Sequence, residues 1–328
     1  MGWWSAAMRT RSTQWTYRTL PRDGTSAPVE PETSYLSVFL RTAHVVDVRR
    51  GLRRFHAAVN SSVSLPARSG SNAQFIATLA PTTLQDVAPA SAAPADRFIQ
   101  VNRRLAGPVP YIGGDVEAEV GLFSVPSSEL AGPYLKLLES LSKTPALAFM
   151  GVSLALVEPV RQGIQLLAGD AEGTGLEIGF ATLWRPLQTG WVIAARVPQD
   201  GRGFRVDPDE GRLLDESGGP VGDYPYLLLE VCAEPTRDDW YLIPEIADSY
   251  GELQREIRRG RQDDVEEALA VFRRTALTCG DLLFDDALRL CDQVRERIAE
   301  IGLAGPGVRS SGSHNPVPDL RDFSPFAI

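Results

Sequence analysis

Four arginines at helical spacing are the strongest candidates for chemistry in this 328-residue chain. Apolar residues recur at three- and four-residue steps through residues 44–59, which predicts an amphipathic helix with one apolar stripe. Guanidinium groups on the adjoining arc could bind an acidic protein, nucleic acid or anionic lipid. They could also form salt bridges with the protein's own acids or contacts within a homo-oligomer. The predicted binding residues are Arg49, Arg50, Arg53 and Arg54.

Carboxylates form the second group of candidate residues. Acids gathered in loops can bind calcium, and a pair of them can act as general acid and general base. The segment 204–214 also has the composition of a β-hairpin turn, in which proline fixes φ, aspartate bonds its own backbone and glycine takes positive φ. We favour the hairpin, so no metal site and no catalytic residue are predicted there. The acids concerned are Asp207, Asp209, Glu210, Asp215, Glu216, Asp238 and Asp239.

The motifs of other catalytic classes do not occur in the sequence. Gly-x-Ser-x-Gly is missing, and only His44, His56 and His314 are available to assist a nucleophile. The glycines match neither dinucleotide-binding nor Walker spacing, and cysteine and histidine do not cluster as zinc ligands do. The three cysteines are interpreted as small buried hydrophobic residues in a reducing compartment. We therefore expect no cofactor and no metal, and favour a function other than catalysis.

The elements that position these residues change in character along the chain. Between residues 34 and 243, short apolar segments alternate with turns, which is typical of a β-rich domain. The clearest strand is 115–125, where apolar residues alternate with acids. Residues 127–168 interrupt the strands with a predicted pair of helices. The apolar part of this insertion, residues 146–157, is too short to span a membrane and is interpreted as a buried helix.

Helical periodicity replaces the strands after Pro244. Three apolar stripes between residues 244 and 302, punctuated by glycines, predict a helical module packed on the β-rich body. Residues 1–33 are expected to form a flexible aromatic arm, and residues 303–328 a flexible tail. The predicted fold class is α+β: a β-rich, sandwich-like body with an inserted helical pair and a C-terminal helical module.

Charge and hydropathy limit the function further. The formal net charge is −9, but residues 34–110 carry nine arginines against three aspartates and no glutamate. Overall acidity disfavours nucleic-acid binding by the whole surface. With neither a long apolar run nor a secretory signal, the chain is expected to be a cytoplasmic bacterial protein that contacts membranes only peripherally.

These observations favour a non-enzymatic interaction or assembly component of a bacterial intracellular system. Its expected partner is an acidic protein or a second copy of the chain. One alternative is a hydrolase or lyase that works through paired carboxylates. The other is a peripheral module that docks on anionic membrane through the basic helix.

Overall fold

Strands come first in the chain and helices last. This confirms the predicted α+β fold, with a sheet-rich body and C-terminal helices. The helical pair predicted for residues 127–168 lies outside the described residues. The computed structural model describes residues 15–20, 28–45, 49–50, 53–68, 70, 72–79, 98–126, 175–196, 203–207, 209, 211–303 and 318–323.

The strands form two five-stranded sheets and one small hairpin. The first sheet has the order β1-β9-β12-β2-β6, the second has β3-β4-β7-β8 with β5 also paired to β4, and β10 pairs with β11. The strands are β1 (Trp15–Leu20), β2 (Tyr35–His44), β3 (Arg49–Arg50), β4 (Arg53–Pro66), β5 (Asn72–Leu79), β6 (Phe98–Pro110), β7 (Val116–Pro126), β8 (Gly175–Trp184), β9 (Gly190–Arg196), β10 (Arg205–Asp207), β11 (Arg212–Leu214) and β12 (Tyr226–Glu234).

The first sheet is buried on both faces at its centre. The antiparallel strands β9 and β12 carry nearly continuous apolar runs, which is the pattern expected of strands with no solvent-exposed face. On β6, Gly107 has a φ of 86°, and a Cβ atom there would lie 2.1 Å from the carbonyl oxygen of Leu36. Only glycine therefore allows this close approach of β6 to β2.

The second sheet follows the alternation predicted for residues 115–125. Val116, Ala118 and Val120 on β7 are buried, whereas Glu117 between them is exposed. Antiparallel partners lie on both sides of β7, with β4 on one side and β8 on the other. The other edge of β4 is shared, because β3 pairs with its first two residues and β5 pairs from Val59 onward.

The helix predicted over residues 44–59 is wrong, because the structure has strands there. β2 ends at His44, and the chain continues as β3 and β4. The strand period shows in the later part of β4, where Ser61, Val63 and Leu65 are buried and Ser62 and Ser64 between them are less buried. Pairing of β4 with β5 and β7 satisfies the backbone and decides in favour of the strand.

Three helices fill the region after Pro244, as predicted. They are α1 (Pro244–Arg259), α2 (Gln262–Thr278) and α3 (Phe284–Leu303), and a short 3-10 helix, Trp240–Leu242, precedes them. One apolar cluster joins the predicted stripes, including Tyr250 of α1, Phe272 of α2 and Val294 of α3. The left-handed Gly260 (φ 71°) ends α1 as a C-terminal cap.

The chain divides into two compact units. The helices belong to a unit that begins at Glu234 and also contains two short segments from earlier in the chain. We call the two units the sheet unit and the helical unit. The sheet unit comprises Met1–Glu30, Leu36–Gly107 and Ile112–Ala233, and the helical unit comprises Pro31–Tyr35, Pro108–Tyr111 and Glu234–Ile328.

Both chain ends contain secondary structure within the residues that the structure describes. Within 1–33, β1 pairs along its whole length with β9, and Pro28 forms a β-bridge with Gln188. Within 303–328, residues 318–323 contain a 3-10 helix whose Leu320 and Phe323 are buried. Apolar side chains that find a core in this way order an otherwise polar segment.

Candidate functional site

The four predicted binding arginines lie on two paired strands. β3 and β4 are antiparallel, and their register places Arg49 opposite Arg54 and Arg50 opposite Arg53. We call residues 49–54 the arginine hairpin. The structure thus brings the four residues together through strand pairing and not through a helix.

The arginine hairpin lies at one end of the second sheet. In the β4–β7 register, Phe55 pairs with Pro126, the last residue of β7. β8 begins at Gly175, which pairs with Ser124. Pro126 and Gly175 therefore both lie at the end of the sheet that carries the arginine hairpin.

Two of the candidate carboxylates accept hydrogen bonds within their own turns. The side chain of Asp207 accepts the N–H of Asp209 at 3.0 Å. In the next turn, the side chain of Asp215 accepts the Ser217 hydroxyl at 2.6 Å and the N–H of Gly219 at 2.9 Å. These hydrogen bonds, the Ser217 hydroxyl first, hold the pKa of Asp215 below its usual range. Across the described part of the chain, no group of three His, Cys, Asp or Glu residues could hold a metal ion.

A buried arginine ties together distant segments of the helical unit. The side chain of Arg237 is only 2% exposed, and its Nε donates to Asp239 at 2.6 Å. Its Nη1 donates to the carbonyl oxygens of Asp281 at 2.9 Å and Pro108 at 3.4 Å. Its backbone N–H donates to the buried carboxylate of Asp286 at 3.3 Å. Arg237 therefore compensates the buried charge of Asp239 and links three stretches of chain, while Arg289 pairs with Asp286.

Tyr35 completes this buried group. Its ring centroid lies 5.6 Å from the Arg237 guanidinium, and its hydroxyl accepts the N–H of Leu283 at 2.8 Å. Burial, followed by the charge of Asp286, raises the pKa of Tyr35 well above its usual range. The phenol thus stays protonated. Each residue named here bonds another, although Nη2 of Arg237 is buried and has no hydrogen-bond partner among the described residues. We interpret the cluster as a structural ion network.

A second arrangement in the helical unit holds the C-terminal segment. We call Pro318–Phe323 the tail segment. Tyr250 Oη and Gln254 Nε2 both donate to the carbonyl oxygen of Pro318, each at 2.8 Å. The ring of Phe323 packs edge-on against Tyr250, with 5.7 Å between ring centroids. The helices therefore contact the segment through both polar and aromatic groups.

Sequence reasoning missed the tail segment, although a local signal for it exists. Asp319 precedes Asp322 by three residues, and the two form a capping box around the 3-10 helix Leu320–Asp322. The same spacing places Leu320 and Phe323 three residues apart. A glycine- and serine-rich context obscured this pattern in the sequence.

Two of the three cysteines lie in the core. Cys232, Cys279 and Cys291 form no disulfide; Cys232 is half-buried and the other two are buried. Burial raises the pKa of the Cys291 thiol to about 11, and burial, followed by Glu245, raises that of Cys279 further still. Thiols with such raised pKa values are poor nucleophiles at neutral pH.

His44 lies in the core of the sheet unit. It is buried, its Nδ1 lies 2.9 Å from the carbonyl oxygen of Tyr224, and its ring stacks on Tyr226. His56 lies on β4 opposite Val125, and His314 lies outside the described residues.

Comparison with known proteins adds no functional information. None of the helices that the structure describes is long and apolar enough to cross a membrane. No known protein family, no curated protein and no solved structure matches the chain.

Proposed function

We propose that this protein is a non-enzymatic interaction or assembly component that binds an acidic protein surface through the arginine hairpin. The observation that carries the proposal is the register of β3 with β4, which sets arginine opposite arginine at two successive positions. Like charges placed directly opposite each other destabilise an antiparallel pair. A surface that supplies carboxylates would remove this repulsion and stabilise the hairpin.

The chemistry of arginine supports a protein partner. Guanidinium groups bind carboxylates through two parallel hydrogen bonds, which lysine cannot do. The chain as a whole carries a net charge of −9, which repels nucleic acid over most of its surface. A protein can instead present a local acidic patch to the arginine hairpin.

A second copy of the chain could provide such a patch. The first half of α2 exposes Asp263, Glu266 and Glu267. A homo-oligomer built on this contact would be heterologous, because the two surfaces differ. The partner could therefore be either another protein or the chain itself, and the oligomeric state distinguishes these two cases.

The two alternatives have less support. The carboxylates of Asp207 and Asp215 already accept hydrogen bonds from the N–H groups of Asp209 and Gly219 in their own turns, which opposes a role as a catalytic pair. Docking on anionic membrane would now involve the arginine hairpin in place of a basic helix. Liposome flotation tests this reading, because binding would then require anionic lipid and would not occur with neutral lipid.

Charge reversal tests the proposal. We expect Arg50→Glu with Arg54→Glu to reduce capture of a stoichiometric partner from native lysate, or self-association in light scattering, by about tenfold or more, since like charges across an interface cost several kcal/mol. The matched control is Arg196→Glu with Arg205→Glu, which makes the same charge change at exposed arginines of other strands. Raising the salt concentration should weaken binding of the unaltered protein in the same way.

Equal loss of binding in both double variants would show that only net charge matters. Unchanged binding in the first variant, with its fold intact, would leave the arginine hairpin without this role.

A further inference from the structure

The tail segment forms its own local structure. The N–H of Arg321 donates to the side chain of Asp319 at 3.0 Å, and the N–H of Asp319 donates back to Asp322 at 2.8 Å. Asp322 also donates its N–H to the carbonyl oxygen of Asp319 at 3.0 Å. These hydrogen bonds involve no residue of the three helices. A short sequence that builds its own turn is suited to be a ligand, because less order has to be imposed when it binds.

Two apolar residues anchor the segment to the helices. Leu320 is 5% exposed and Phe323 is 9% exposed, and both belong to the apolar cluster of the helical unit. In a 3-10 helix, residues three apart lie on the same side. Phe323 contacts Tyr250, which in turn packs edge-on against Phe272 with 5.7 Å between ring centroids. The anchors therefore extend an aromatic row that the helices provide.

Two polar side chains of α1 donate hydrogen bonds to the backbone of the tail segment. Tyr250 and Gln254 are four residues apart, so they lie one turn above the other on the same face of the helix. Both donate to the single carbonyl oxygen of Pro318. Arg321 adds a third contact, with its guanidinium 4.9 Å from the centroid of the Tyr241 ring. Recognition thus combines two apolar anchors, one carbonyl and one cation.

We propose that these residues of the helical unit form a peptide-recognition site, and that the tail segment is its resident, exchangeable ligand. The site takes short acidic peptides of a partner protein that have leucine and phenylalanine three residues apart within a capped turn. The tail segment, attached to α3 only through residues 304–317, competes with such peptides within the same molecule. This proposal does not depend on the arginine hairpin.

The test uses the full chain with a site-specific protease sequence placed within residues 304–317. After cleavage, the helices and the tail are both still present but no longer joined. The probe is a fluorescent synthetic peptide with the sequence of residues 316–325. A tethered segment competes at an effective concentration on the order of millimolar. We therefore expect the cleaved and diluted protein to bind the peptide at least about tenfold more tightly than the intact protein does.

Variants on both sides of the contact test the recognition itself. A peptide with Leu320→Ala and Phe323→Ala should bind at least about tenfold more weakly, because it lacks both anchors. On the protein, Gln254→Ala should weaken peptide binding severalfold. The control Gln262→Ala alters an exposed glutamine that bonds only Glu266, and should leave binding unchanged.

Several outcomes would overturn the proposal. Loss of helical circular dichroism after cleavage and dilution would make the tail segment an integral part of the core. A tail fragment that stays bound at nanomolar concentration and does not exchange would have the same meaning. Equal peptide binding by intact and cleaved protein, or by natural and altered peptides, would place the peptide elsewhere on the molecule.

Discussion

Arg237 shows how a single buried charge can organise a region of the protein. Its partners include the carboxylate of Asp239 and the carbonyl oxygens of Pro108 and Asp281. A complete network of this kind adds little stability beyond what apolar packing would give. When one charge is removed, however, the remaining buried charges are uncompensated and the free energy of unfolding falls. Arg237 is therefore important because its loss would leave the buried Asp239 carboxylate without its ion-pair partner.

We expect Arg237→Met to lower the free energy of unfolding by about 3–5 kcal/mol, because the Asp239 carboxylate would remain buried without its cation and the carbonyl oxygens of Pro108 and Asp281 would lose their donor. Urea unfolding followed by circular dichroism measures the change. The matched control is Arg255→Met, since Arg255 is more than half exposed and pairs only with its helix neighbours. Its loss should change stability by less than about 1 kcal/mol. Equal effects of the two substitutions would contradict the structural role of Arg237.

At the level of elements, sequence patterns identified most strands and all three C-terminal helices. The alternation in β7 and the stripes in α1–α3 are local signals, and burial follows them. Residues 49–50 and 53–59 were different, because their apolar spacing favours a helix although they form strands. Strand pairing decides between the two, and the partners of β4 lie far away in sequence. No local pattern contains that information.

The candidate sites show the same limit. Residue type alone selected the four arginines. Their pairing across β3 and β4 could not be predicted, because this region was predicted to be a helix. The capping box of the tail segment can be recognised in the sequence from the spacing of Asp319 and Asp322. Its binding site on α1 arises only when Tyr250 and Gln254 face the segment in the folded chain.

Gly107 and Gly260 both have positive φ, and comparing them separates the steric cost of an added Cβ atom from the cost of the backbone conformation. A Cβ atom at Gly107 would meet the backbone oxygen of Leu36, whereas at Gly260 nothing lies within 4 Å. We expect Gly260→Ala to cost about 1–2 kcal/mol through backbone strain alone. Gly107→Ala should cost about 2–5 kcal/mol, because crowding adds to that strain. Urea unfolding compares the two, and equal losses would mean that β6 shifts freely away from β2.

At the scale of the whole molecule, the helical unit is not a contiguous C-terminal piece. It includes residues 31–35 and 108–111 as well as the chain from Glu234 onward. Tyr35 accepts a hydrogen bond from the N–H of Leu283, and Pro108 accepts one from Arg237. The helices thus depend on groups from the first third of the sequence.

A fragment of residues 234–328 should therefore fail to unfold cooperatively when heated. It would lack Tyr35 and Pro108, leaving buried donors without partners. Far-ultraviolet circular dichroism of the fragment and of the full chain measures the difference. As a milder control, Tyr35→Phe in the full chain removes only the hydroxyl and should preserve a cooperative transition. A sharp transition in the isolated fragment would show that the helices are self-sufficient.

The pairing of β7 with β8 does not depend on the chain that connects the two strands. Ser124 and Gly175 are already opposite each other in the sheet, so the chain between them is not needed to set the register. A short turn could join Pro126 to Gly175 directly. The shorter connection would lower the entropy cost of closing this hairpin by roughly 2–3 kcal/mol. Evolution could thus replace residues 127–174 while the pairing of β4, β7 and β8 stays the same.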